Sequence, residues 1–372
     1  MIGDGEYTVM AADRGGVTRI GEITGVSRLS WNRVQDATSM ATMVVTEPDP
    51  RCCRLLADLR TVRHEIVIYR NGRRVWEGPI TRLAYKPGEV EIDARDITWF
   101  LSRRVLEVGW NYMGTAYPAV AAVYKTIHDH YPPVGDPYNI GPYLTRVIGP
   151  DEPNTAAVYY AHSRTVFNLL EQYASRGGMD YTVLGRRLIL NDTNTRAHVL
   201  PRMTDEHLSG SVNVTEYGME LKTRVFTSNS ETKYAQSLAP QEWLDYYGPV
   251  DFVNNNIDEG DGDPDEEDLE AIQEVTTRIL LTGYPTPVRV WIPDQARLDP
   301  CYPVEFDDLV GGAWVPLQSQ DTCRKISQWQ KLRSLDIDWT PEGERIGVTL
   351  TKAPSKMVEP TSVVSPSLPA GG

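Results

Sequence analysis

HEIVIYRNGRRVWEGPITRLAYKPGEVEIDARD, residues 64–96, decides the fold. Asn71-Gly72 separates two β-favouring runs and closes them as a hairpin, because both turn positions accept positive φ. The second half, TRLAYKPGEVEIDARD, contains another hairpin, turning at Pro87-Gly88. Consecutive hairpins predict an antiparallel β domain. Working outward, alternating patterns at Tyr7–Ala11, Ser27–Arg33 and Ala41–Thr46 add strands upstream. Two short helices interrupt them, Arg51–Leu59 and Ile97–Val105, the second capped by Asp96. Residues 1–105 therefore read as a small barrel or sandwich carrying a helix.

The next hundred residues change character. YPAVAAVYKTIHDHY reads as a helix beginning near Pro118 and ending before Pro132-Pro133. After a Pro/Gly/Tyr-rich loop, Ser163 is positioned to cap a second helix in which Val166, Leu169, Leu170 and Tyr173 share a face. Gly177-Gly178 stops it, and MDYTVLGRRLIL is strand, turn at Gly185, strand. Residues 211–256 read as strands with an irregular Tyr/Asn-rich loop. Strands return in PVRVWIPD, YPVEFDD, AWVPLQSQDTCRKISQWQ, LRSLDIDW and RIGVTLTK. The expected fold class is mainly β with an α+β middle. The expected division is 1–105 β, 106–210 α+β, 211–285 connecting, 286–355 β, and a flexible Pro/Ser-rich tail at 356–372. The two β regions share an outline: each has a hairpin in which an acidic strand follows a Gly turn, GEVEIDARD and GERIGVTLT.

The 372 residues carry 51 Asp and Glu against 37 Lys and Arg, a net charge of −14. That balance opposes nonspecific nucleic-acid binding, which needs a basic stripe. The 19 Tyr and 9 Trp against 5 Phe suit half-buried surfaces such as subunit interfaces. The first ten residues, MIGDGEYTVM, have no signal-peptide character, and no apolar run is long enough to predict a membrane span, so a cytoplasmic folding site is expected. Cys52, Cys53, Cys301 and Cys323 are expected to be buried free thiols.

The most charged stretch is IDEGDGDPDEEDLE, residues 257–270, where nine of thirteen residues from Asp258 to Glu270 are acidic. A calcium loop needs oxygens at positions 1, 3, 5 and 12 and a residue tolerating positive φ at 6. With Glu270 at position 12, Glu259, Asp261 and Asp263 fit, but Pro264 falls at 6. Starting at Asp258 puts Leu269 at 12, and starting at Asp261 puts Ile272 there. The run instead spells a helix start, with Asp263 as cap, Pro264 at the first position and Glu266 at the third. Leu269, Ile272, Val275, Ile279 and Leu280 continue at helical spacing until Gly283 and Pro285. His128 and His130 lie two apart on a helix end and so on different faces. Cys301 and Cys323 lack zinc-site spacing, and Ser163 beside His162 lacks a nucleophile-elbow context. No catalytic, cofactor-binding or metal-binding residue is assigned.

Three segments in order carry a family resemblance. They are VWEGPITRLAYKPGEVEIDARDITWFLSRRVL, SRTVFNLLEQYASRGGMDYTVLGRRLIL, and LDPCYPVEFDDLVGGAWVPL continued by LRSLDIDWTPEGERIGVTLTKAP. Together they resemble the baseplate hub, or tail-associated minor tail, proteins of long-tailed phages, most closely those infecting mycobacteria and related actinobacteria. The resemblance implies two tail-tube-like β-barrel or sandwich domains flanking smaller α+β domains. It also implies a homotrimer forming a pseudo-hexameric ring under the distal tail ring. Implied partners are the distal tail protein, the tape measure protein, other tail-tip or fibre proteins, and DNA only in transit. Some relatives extend into a cell-wall hydrolase, which the short tail here does not lead one to expect. An acidic channel wall would repel passing phosphate, and the same acidity reads equally well as a solubility trait. The rival readings are a receptor- or carbohydrate-binding tail module, with Tyr/Trp loops stacking on sugars, and a tail-borne hydrolase using a carboxylate pair without a motif.

Overall fold

The computed structural model describes residues 4–107, 110–111, 117–130, 140–148, 154–155, 158–175, 179–210, 212–216, 218–228, 234–254, 272–273, 275–277, 279–280, 288–353 and 362–364. Two compact units divide the chain. The first comprises residues 1–211, 292–318 and 329–372; the second comprises 212–291 and 319–328.

The first unit opens with β1 (Tyr7–Asp13), β2 (Arg19–Glu22), β3 (Val26–Val34) and β4 (Met40–Thr46). Helix α1 (Pro50–Asp58) follows, its start fixed by Asp49 Oδ1, which accepts from the Arg51 and Cys52 amides, and by Pro50 at the first position. Then come β5 (His64–Arg70), β6 (Arg73–Lys86) and β7 (Glu89–Arg95). Residues 64–96 form two hairpins where expected. Asn71 and Gly72 both take positive φ, 50° and 75°, and Gly88 takes 75°. Strand β6 serves two ladders: its first half pairs with β5 and its second with β7, with a register shift between Ile80 and Arg82. Gly78 lies just before the shift, and a Cβ there would fall 1.6 Å from the Arg95 carbonyl oxygen. The Glu-Gly-Pro of the sequence is thus a backbone crossing that admits no side chain.

The expectation of two separate barrels is corrected. A twelve-stranded open sheet joins the first and last β regions through β3 and the strand Ser327–Thr340, which pair antiparallel from Val34↔Ser334 to Leu29↔Trp339. The described strands run from β2 at one end to Leu208–Ser209 at the other and do not close. The reason is geometric. Both β3 and Ser327–Thr340 alternate, so each offers one apolar face and a free ladder edge that the other satisfies. Leu29, Trp31, Leu335 and Ile337 are at most 2% exposed on the shared core face. YPVEFDD, expected as a strand, instead contains a 3₁₀ turn, Phe306–Asp308, that buries Phe306.

The middle region is α+β. Helices α2 (Thr98–Leu101), α3 (Ala119–His130) and α4 (Val166–Ser175) share a core with the hairpin Met179–Leu184/Arg187–Asp192. The expected α4 face, Val166, Leu169, Leu170 and Tyr173, is buried. Its cap differs from expectation. Thr165, not Ser163, accepts from the Asn168 amide, while Asn168 accepts from the Thr165 amide. Helix α2 is shorter than expected, and Asp96 Oδ1 accepts from the Thr98 amide and hydroxyl. Residues Ser362–Val364, within the stretch expected as a tail, pair antiparallel with Leu144–Ile148.

The second unit holds a three-stranded sheet, Tyr234–Leu238, Arg224–Ser228 and Asp251–Asn254, and a separate ladder, Asn213–Glu216 with Val288–Trp291. Gln273 lies on a helical segment whose Ile272, Thr276 and Leu280 are buried, and its amide donates to Gln236 O and Ser237 Oγ. Helix α5 (Gln241–Tyr247) joins two of the strands where the sequence reads as irregular loop. It was hidden because it buries no residue and so imposes no apolar period. The acidic run 258–270 lies outside the described residues.

Candidate functional site

Carboxylates are the chemistry this chain has in excess, so their surroundings decide what it can do. Glu65 on β5 and Glu77 on β6 converge on Arg186, which the turn at Gly185 presents from the middle hairpin. Arg186 Nη1 donates to Glu65 Oε2 at 2.5 Å and to Glu77 Oε1 at 2.7 Å. Arg74 Nη1 donates to Glu77 Oε2 at 2.6 Å, and the Gly15 amide to Glu65 Oε1 at 2.8 Å. Gly16 has φ 65°, and a Cβ there would meet Glu77 Oε1 at 1.8 Å, so only glycine lets the loop seal the cluster. Both carboxylates have no exposed surface. Burial pushes Glu65 up to about 7, against the downward pull of Arg186. A pair of acids this close resembles a glycosidase dyad in composition, but these two share one guanidinium and both side chains are fully buried. They are a clamp.

Two more clusters repeat the theme. Asp36, with φ 57°, accepts the Tyr181 amide at 2.8 Å and donates its own amide to Tyr181 O. Beside it Lys331 pairs with Asp180 and donates to Thr193 O at 2.6 Å. Burial, then the charge of Asp180, pushes Asp36 up to about 7. Third, Arg70 grips Glu344 with two nitrogens, at 3.0 and 2.6 Å, while Tyr7 donates to the same carboxylate. The Arg70 guanidinium lies 4.2 Å from the Phe306 ring centroid. Arg33, 1% exposed, donates to the carbonyls of Leu309 and Val75, and burial lowers it to about 10. Each cluster ties residues more than a hundred positions apart: first β region to middle hairpin, first β region and middle hairpin to the strand Ser327–Thr340, and β1 and β5 to the strand Gly343–Lys352.

The other singled-out residues fall apart as sites. Ser163 Oγ donates to Tyr160 O at 2.7 Å, and His162 is an exposed turn residue with φ 60°. The His128 ring is exposed and stacks on Tyr124. The side chains of Asp129 and His130 are outside those described. All four cysteines are free, but only Cys52 is buried; Cys53, Cys301 and Cys323 are exposed, which corrects the expectation of four buried thiols. Cys301 Sγ donates to Glu206 O at 3.6 Å, and its neighbour Asp299 raises the thiol further from ionisation. Among the described residues no group of His, Cys, Asp or Glu could hold a metal ion, and no helix is long and apolar enough to cross a membrane.

Surfaces remain. Helix α5 reads QEWLDYY, and its aromatics pack on one another: Trp243 stacks on Tyr247 at 5.6 Å, and Tyr246 meets Tyr247 edge-on at 4.7 Å. Tyr246 is nevertheless 77% exposed. On the adjoining strands Leu238 is 51% and Val253 57% exposed. Exposed aromatic side chains are enriched at interaction surfaces. In the first unit, α1 exposes Arg51 and Arg54, and beside its C-terminal end a shallow groove is lined by Ala57, Leu59, Arg60, Thr61, Leu83 and Tyr85.

No protein-family model matches the chain, and no curated protein sequence matches it. Solved structures do. A 43 kDa tail protein of prophage MuSo2 from Shewanella oneidensis aligns over 93% of this chain and 98% of its own, with TM-score 0.56 at 12% identity. A tail protein from Neisseria meningitidis aligns over 93% and 96%, with TM-score 0.55 at 13% identity. An Escherichia coli component of the type VI secretion system, described as structurally similar to the T4 bacteriophage tail proteins gp27 and gp5, aligns over 92% and 76%, with TM-score 0.50 at 8% identity. At these identities the likeness is one of fold: mainly β, with open sheets and few helices.

Proposed function

We propose that the chain is a structural component of a phage tail tip, a baseplate hub that forms a trimeric, pseudo-hexameric ring, joins the distal tail to the tip and lines the DNA channel. The observation that carries this reading is the extent of the fold match. Over nine-tenths of the chain aligns with two tail proteins, one of them from a prophage, so the match extends over both units and not one shared module. The described similarity of the E. coli relative to gp27 and gp5 supports a position at the tip.

The chemistry of the molecule suits that role. Glu65, Glu77 and Glu344 are held in buried ion pairs that tie distant segments of the first unit together. The outward face of the large sheet is polar and laced with cross-strand pairs. Arg82 meets Glu91 and Asp93, and Lys86 meets Glu89 and Glu91. On that part of the face each of these two cations is already held by carboxylates.

In the proposed assembly the partners are two further copies, the distal tail ring, the tape measure protein and other tip or fibre proteins. The location is the virion, reached by assembly in the host cytoplasm. Mass measurement of the purified chain and imaging of virions test the reading. A trimer in solution and density at the tail tip are expected. A chain that stays monomeric and is absent from tails refutes it, and release of sugar or peptide fragments from host wall by the purified chain would favour a hydrolase.

A further inference from the structure

The charge of this chain is unevenly spread. The second unit holds seventeen of the 51 acidic residues and only seven of the 37 basic ones, a net charge of −10 out of −14. Two second units facing each other would therefore repel. Yet this is the unit whose helix α5 buries nothing and leaves Tyr246 77% exposed. Residues 240–250 contain Glu242, Asp245 and Asp251's neighbours Pro249 and Val250, but no Lys or Arg. Glu242 and Asp245 are exposed, and Asp245 accepts only from Gln241, one turn away. What α5 lacks is a cationic partner surface.

The first unit has one. Residues 51–63 carry Arg51, Arg54, Arg60 and Arg63 against the single carboxylate of Asp58. Arg51 and Arg54 are one turn apart on the exposed side of α1, and neither makes an ion pair among the described residues. The Arg60 guanidinium donates only to the carbonyls of Ala57 and Leu59 and lines the groove with Leu59, Leu83 and Tyr85. A cationic helix leading into an apolar groove fits an acidic helix bearing aromatic rings. Arginine pairs with carboxylates and stacks on aromatic faces, and Trp, Tyr and Arg are the residues that dominate interface energies.

We propose that α5 of one copy docks on α1 and its groove in a neighbouring copy, Glu242 and Asp245 against Arg51 and Arg54, with the Tyr246 ring in the groove. The contact is head-to-tail, using different surfaces on the two copies, which is the type that closes into a ring when the rotation permits. It rests on the self-assembly proposed above and names where that assembly is held.

The test is a charge swap in the full-length chain, read as the mass distribution over a concentration series. R51E/R54E and E242K/D245K are each expected to weaken self-association at least about tenfold, and the four changes together to restore it. All four residues are exposed, so far-UV circular dichroism and melting should match the parent chain. Should a charge variant unfold, Tyr246→Ser provides the same reading without a charge change. Wild-type assembly in both double variants, or no rescue in the quadruple variant, overturns the docking while leaving the ring reading intact. A monomeric parent chain overturns both. Binding of wall glycan that Tyr246→Ser abolishes, with assembly unaffected, overturns the docking in favour of a sugar-stacking surface.

Discussion

Replacing Arg186 with Met tests the buried clamp most directly. Methionine keeps the aliphatic length but removes the charge that Glu65 and Glu77 share. Glu77 would retain Arg74, whereas Glu65 would keep only the Gly15 amide. Arg186 is 4% exposed and the two carboxylates 0%, so water cannot take its place. Breaking a buried pair by removing one partner costs about 3–5 kcal/mol. Glu65 is already raised to about 7 from an ordinary 4.5, by burial first. A carboxyl whose folded value lies above its unfolded value lends stability below the unfolded value and loses it as pH rises through the folded one. Arg186 is what holds Glu65 down, so its removal raises Glu65 further and the penalty deepens as pH rises. Urea unfolding followed by tryptophan fluorescence, at pH 5 and pH 8, should show the full loss at the higher pH and a smaller one at the lower. Amide exchange in the hairpin Met179–Asp192 should quicken by roughly two to three and a half decades at high pH. A loss below about 1 kcal/mol at pH 8, or equal losses at both values, refutes the clamp.

Further expectations follow from the same geometry. Thr165→Ala should cost about 0.5–2 kcal/mol through the lost α4 cap, while Ser163→Ala stays within about 0.5 kcal/mol of the parent chain; thermal melts of the pair separate the two residues. Gly78→Ala should lower stability by about 1–3 kcal/mol or more, because its methyl meets the Arg95 carbonyl, and denaturant midpoints measure it. Asp36, raised to about 7, should make stability fall between roughly pH 4 and 7, and Asp36→Asn should flatten that slope in a pH series of unfolding curves. Neutralising Asp258, Glu259 and Asp261 should leave the melting temperature unchanged with or without calcium; a calcium-dependent shift would reinstate a metal loop there.

Much of the local structure could be read before any coordinates. Asn71-Gly72 dictates its hairpin because few other residues accept two positive φ values in succession. The short helix expected over Arg51–Leu59 is α1, Pro50–Asp58, and the spacing of Val166, Leu169, Leu170 and Tyr173 marks the buried side of α4. These signals act over a few residues, where φ preferences and side-chain period are decided. The misplaced cap shows their limit. Ser163 and Thr165 are both good caps, and which one serves depends on where the chain leaves Leu106, whose carbonyl accepts the His162 amide.

The sequence by itself determined the hairpin turns, most of the described strands and the buried face of α4. Only the tertiary structure decided that the two β regions are one sheet. Any alternating strand can satisfy any other, so the choice of Ser327–Thr340 as partner for β3 is made by the whole core and not by either segment. The same holds for the clamps. Nothing in the neighbours of Glu65, Glu77 or Arg186 distinguishes them from the chain's many exposed charges. Folding brings the three together and withdraws water, and their role follows from that withdrawal.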